Sequence, residues 1–72
     1  MYETLRNEMN RKGLSSNKLA LGSMISPANF SQAINGKTPM FPAWRRRISE
    51  YLGMPQGELF PEYAKDVMIN NV

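Results

Sequence analysis

Apolar side chains recur along the chain in short stretches of helical period, each closed by glycine or proline. Tyr2, Leu5 and Met9 stand at i, i+3 and i+7 with Glu3, Arg6, Asn7, Asn10 and Arg11 elsewhere, which predicts an amphipathic helix over residues 2–12 ended by Gly13. Ser15-Ser16 ahead of Asn17-Lys18-Leu19-Ala20-Leu21 predicts a second, shorter helix to about Leu21, with Gly22 as its stop. Ser26-Pro27 gives the sharpest helix start in the sequence. The serine hydroxyl can cap the helix, and proline at the first helical position loses only an N–H that would have had no partner there. The helix it opens runs to Ile34 or Asn35, placing Phe30, Ala33 and Ile34 on one face and Ala28, Asn29, Ser31 and Gln32 on the other.

Asn35-Gly36 supplies a left-handed terminator. Lys37-Thr38-Pro39-Met40-Phe41-Pro42 must be loop, since two prolines would break a helix and each disfavours helix in the residue before it. A fourth helix is predicted from about Pro42 to Leu52, with Trp44, Ile48, Tyr51 and Leu52 as its apolar stripe and Gly53 after its end. On that stripe Trp44 goes to the core, while Arg46 points away and Arg45 and Arg47 flank, so all three guanidiniums are expected in solvent. Pro55 restarts a short helix through Leu59-Phe60, and the signals from Pro61 to Val72 are weak. No repeat, low-complexity tract or linker divides the chain.

A chain of 72 residues without cysteine or histidine makes one domain, with neither a disulfide framework nor a soft metal site to staple it. A core of that size supplies only about 3–5 kcal/mol, so packing, with help from a partner subunit, must hold the fold. The missing histidine removes the usual acid/base at neutral pH, which argues against an enzyme, and nothing calls for a cofactor or a small-molecule substrate. Glu58 and Glu62 are separated by Pro61 and have no third ligand nearby, so they are read neither as a metal site nor as an acid/base pair. No stretch is long and apolar enough to span a membrane and no secretory leader is evident, so the expected location is the cytoplasm.

The net charge of +3 hides a segregation. Between Met9 and Ser49 there is no acidic residue, while Arg11, Lys12, Lys18, Lys37, Arg45, Arg46 and Arg47 all fall there, a local balance of +7. The acids lie toward the two ends, leaving −1 over residues 1–8 and −3 over residues 50–72. A surface of one sign attracts a polyanion, so the partner should be anionic.

Five short helices, the second and third joined by a tight turn and the third opened by Ser-Pro, make a helix-turn-helix pattern, in which the second helix of the pair enters the DNA major groove. Such a helix needs short hydrogen-bonding side chains on its outward face. Amides bond the N6/N7 edge of adenine and small apolar groups touch the thymine methyl, and Asn29, Gln32 and Ala28 fit those roles.

Lys12-Gly13-Leu14-Ser15-Ser16-Asn17-Lys18-Leu19-Ala20, then Ile25-Ser26-Pro27-Ala28-Asn29-Phe30-Ser31-Gln32-Ala33-Ile34-Asn35-Gly36-Lys37, and Leu52-Gly53-Met54-Pro55-Gln56-Gly57-Glu58-Leu59-Phe60 resemble the Cro/repressor-type helix-turn-helix family of phage and bacterial regulators. The likeness runs from about Leu5 to Phe60. It implies an all-α, five-helix, lambda-repressor-like domain over residues 1–60 with a C-terminal extension at 61–72. It also implies binding to double-stranded operator DNA, usually as a homodimer on a near-palindromic site. Carried over residue by residue, Ala20 is the small contact where the two helices cross, and Phe30 and Ala33 are buried. Pro27, Ala28, Asn29 and Gln32 read bases, while Ser16, Lys18, Ser26, Ser31, Asn35 and Lys37 meet phosphates. Two features depart from the family pattern. The usual turn glycine falls at Met24 and the preceding apolar position at Ser23, so Gly22 is expected to take the left-handed role and reshape the turn. The loop after Lys37 is mostly apolar, leaving Lys37 as its main phosphate contact.

Other readings stand beside these. Arg45-Arg46-Arg47 is either a backbone contact or an ordinary solvated face. Met40 and Phe41 are expected to fold onto the core, and Tyr63, Val67, Met68 and Ile69 to pack on the fifth helix, form a dimer seam or fray. As a whole, the domain could instead be a protein-interaction module, such as an antitoxin or anti-repressor partner, docking through the Met40-Phe41 loop or the C-terminal segment. Binding to single strands through Trp44, Phe30 and Tyr51 is a third reading, against which their core-like spacing argues.

Overall fold

Residues 1–63 are described by the structure, a computed structural model, and among them every regular element is helical. In chain order these are α1 (Glu3–Lys12), α2 (Ser16–Gly22), α3 (Pro27–Ile34), α4 (Pro42–Leu52), α5 (Gln56–Leu59) and a closing 3-10 turn, Pro61–Tyr63. Val67, Met68 and Ile69 lie outside the described residues. None of the described helices is long and apolar enough to cross a membrane.

The serine starts predicted for α2 and α3 are built as side-chain caps. Ser15 Oγ accepts from the Lys18 N–H and Ser26 Oγ from the Asn29 N–H, each at 3.1 Å, and a cap of this kind contributes about 1 kcal/mol. Pro27 and Pro42 occupy the first helical turn of α3 and α4. Pro55, by contrast, stands outside α5 as its extended N-cap. Gly13 and Gly53 end α1 and α4 in the left-handed region. At the end of α3 the Gly36 and Lys37 N–H groups donate back to Ala33 and Gln32, satisfying carbonyls the helix cannot.

The expectation for the turn between α2 and α3 is overturned. Gly22 is the last residue of α2, and Met24 adopts the left-handed conformation at φ 59° with its side chain in solvent. Packing accounts for the glycine: a Cβ at Gly22 would lie 2.5 Å from the Tyr51 ring, so its bare backbone accommodates α4. Met24 therefore carries the turn at a cost of about 1–2 kcal/mol. Tyr2 also differs from the prediction. It stands before α1 as a left-handed N-cap, with its ring buried.

The core joins Leu5 and Met9 of α1, Leu19 and Ala20 of α2, Phe30, Ala33 and Ile34 of α3, Ile48 and Leu52 of α4, and Leu59 with Phe60. Full burial of one such large side chain is worth about 1.5–3 kcal/mol, which is what fixes α3 with Phe30 inward. The buried face of α4 is rotated from the predicted stripe. Arg45, Ile48, Ser49 and Leu52 point inward, whereas Tyr51 is 47% exposed and Trp44 is half-buried, packed against the core and edge-on to Phe41. The cause lies beyond α4. Tyr63 returns over that side and places its ring 4.0 Å beneath the Arg45 guanidinium, leaving Arg45 only 5% exposed. Thus Arg45 is not in solvent with Arg46, as the helical wheel had suggested. The loop pair also divides, with Met40 buried and Phe41 46% exposed.

Candidate nucleic-acid interface

α3 turns its buried stripe onto α2 and presents Ala28, Asn29, Ser31 and Gln32 to solvent, with Pro27 half-buried at their head. The outward face is uncharged and carries two free-standing amides, so it can donate and accept in the same plane. Ser26 lies at its entrance and Lys37 at its exit, both exposed, while Ser16 and Lys18 are exposed on the neighbouring α2. Hence all four expected base-reading residues lie together on one helix, and five of the six expected phosphate contacts offer an accessible side chain with nothing turned inward.

Asn35 differs from the other phosphate candidates. Its Nδ2 donates to the Ser31 carbonyl at 2.9 Å, so the amide is engaged in closing α3 rather than reaching outward. The first turn of α3 is also economical in backbone donors. Pro27 has no N–H and the Asn29 N–H is taken by Ser26, which leaves Ala28 to offer a main-chain donor to an anion. Ser26 Oγ accepts that bond and keeps its own proton free to donate.

Most of the predicted cationic belt is engaged within the molecule. Glu8 takes both Arg11 and Lys12, and the hydrogen bond from Arg11 holds its carboxyl below the ordinary value of 4.5. Arg46 stands 3.9 Å from Glu50, Arg45 is buried, and Arg47 donates to the Met24 carbonyl at 3.1 Å. Lys18 and Lys37 form no ion pair among the described residues and remain exposed beside α3.

Two arginines missing from the sequence-level site act on its frame. Arg6 Nη2 donates to the Ile34 carbonyl at 3.0 Å, so a cation sits on the negative end of α3 and ties it to α1. Arg47 reaches the turn that precedes α3. No sequence pattern could have marked either, because both bonds go to backbone carbonyls 28 and 23 residues away. No family model matches the chain, and no curated protein or solved structure matches it.

Proposed function

We propose that this chain is a sequence-specific double-stranded DNA-binding regulator of the Cro/repressor, lambda-repressor-like kind, of phage or prophage type, acting in the bacterial cytoplasm. One observation carries the proposal: the exposed, uncharged, amide-bearing face of α3, opened by Ser26 and Pro27 and held by a buried Phe30-Ala33-Ile34 stripe. The face lies in the short second helix of a helix-turn-helix pair, the element that enters a major groove. Lys18, Lys37, Ser16, Ser26 and Ser31 bind phosphates and set register, and Pro27, Ala28, Asn29 and Gln32 discriminate bases. A bidentate amide–adenine contact is worth about 1–3 kcal/mol of discrimination. A homodimer with its recognition helices about 34 Å apart spans successive major grooves, and repression follows from occlusion of the polymerase.

Selection from a pool of random duplexes tests this. The expected product is a preferred site with a two-fold repeat, bound more weakly as salt rises; recovery of no preferred sequence would reject the proposal. The exposed Leu21, Met24 and Phe41 side chains favour one second reading, an interaction module for another protein. That reading predicts duplex binding indifferent to sequence.

A further inference from the structure

Met24 is the oddest residue near the proposed reading helix. It holds a left-handed backbone at φ 59°, its side chain is 72% exposed, and no packing of that side chain compensates the strain. What meets it is its own main chain's neighbour in space: the Arg47 guanidinium, half-buried on α4, donates to the Met24 carbonyl at 3.1 Å. One helical turn further on, Tyr51 lays its ring against Gly22, where a Cβ would come within 2.5 Å. Arg47 and Tyr51 are four apart and so share a face of α4, which spans the turn from Gly22 to Met24 and borders a cavity of about 360 Å³ there. The Ile25 N–H, donating to the Ala20 carbonyl at 2.9 Å, closes the same turn from the other side.

We infer that Arg47 is a positioning residue for the proposed reading helix: its bond to the Met24 carbonyl fixes a strained turn in the conformation that aims α3, and it does so without touching DNA. The peptide plane after a left-handed residue is what the next two residues inherit, and those are Ile25, buried in the core, and Ser26, the cap of α3. Release of the carbonyl lets the turn relax toward ordinary φ and swings the outer face of α3 relative to α2. The inference rests on the DNA-reading function proposed above.

A double-mutant cycle on the full chain tests it, using Arg47→Ala, Met24→Gly and the pair. Glycine adopts the left-handed conformation without strain, so Met24→Gly should make the arginine dispensable. Arg47→Ala is expected to lower the ratio of affinities for the selected duplex over a random duplex about tenfold, with affinity for the random duplex and its salt slope unchanged. Added Met24→Gly should restore most of that ratio. Without DNA, Arg47→Ala should speed hydrogen exchange at the Ile25 amide, and Met24→Gly should undo that change. Equal loss on both duplexes with a flatter salt slope would make Arg47 a phosphate ligand and overturn the inference, as would failure of Met24→Gly to rescue. If no duplex is preferred, the proposed function fails, and the exchange cycle alone decides whether Arg47 holds the turn.

Discussion

Tyr2 links the start of α1 to the closing turn through a single hydroxyl. That hydroxyl lies 2.8 Å from the Tyr63 hydroxyl, which also accepts from the Met40 N–H, while the ring stacks on Tyr63 and stands edge-on to Phe60. Burial, then the bond to Tyr63, pushes the Tyr2 phenol well above its ordinary value of 10. A group whose pKa is raised by folding contributes stability that is present below its unfolded value and lost as pH rises toward the folded one. Stability should therefore decline above pH 10, where the unfolded chain ionises first. Tyr2→Phe should cost about 1 kcal/mol near neutral pH and make the alkaline decline shallower, both read by thermal denaturation. An alkaline decline of unchanged slope in the variant would remove Tyr2 from that role.

At the scale of elements, α3 is held inward by Phe30, Ala33 and Ile34, at its end by Arg6, and at its entrance by the Arg47 bond to the turn. With the helix so fixed, an exposed amide on it and the exposed lysine just past its end should separate in binding experiments. Gln32→Ala should weaken binding to the selected duplex about tenfold and leave random duplex binding unchanged. Equal loss on both would take Gln32 out of the base-reading set. Lys37→Ala should weaken binding to all duplexes alike and reduce the log–log salt slope by about 1, and an unchanged slope would contradict a phosphate contact. The caps and ends of these helices were legible in the sequence because Ser-Pro, Asn-Gly and the closing glycines act locally. Which way α4 faces was not, because the inward turn of Arg45 depends on Tyr63, 18 positions later.

For the whole molecule, the count of cations overstates the charge available to a polyanion. Seven basic residues fall between Met9 and Ser49, but Arg11, Lys12 and Arg46 meet carboxylates, Arg45 is buried and Arg47 serves the turn. With Lys18 and Lys37 as the free cations beside α3 among the described residues, the salt dependence of duplex binding should have a slope of about −2 per protomer. Titrations across a range of salt would check this. A slope of about −6 per protomer would mean that the engaged arginines and lysines let go of their partners and turn to DNA.

The sequence alone determined the serine-capped starts of α2 and α3, the glycine ends of α1 and α4, and which face of α3 is polar, because capping, proline geometry and the 3.6-residue period operate within a few neighbouring residues. It also carried the segregation of charge, which is additive along the chain. Only the tertiary structure decided that Gly22 serves a close approach by Tyr51 while Met24 bears the left-handed turn, that Arg45 is buried, and that Arg6 and Arg47 frame α3. Each of those depends on which atoms from distant positions converge on one backbone carbonyl or one ring, and convergence is a property of packing rather than of order along the chain.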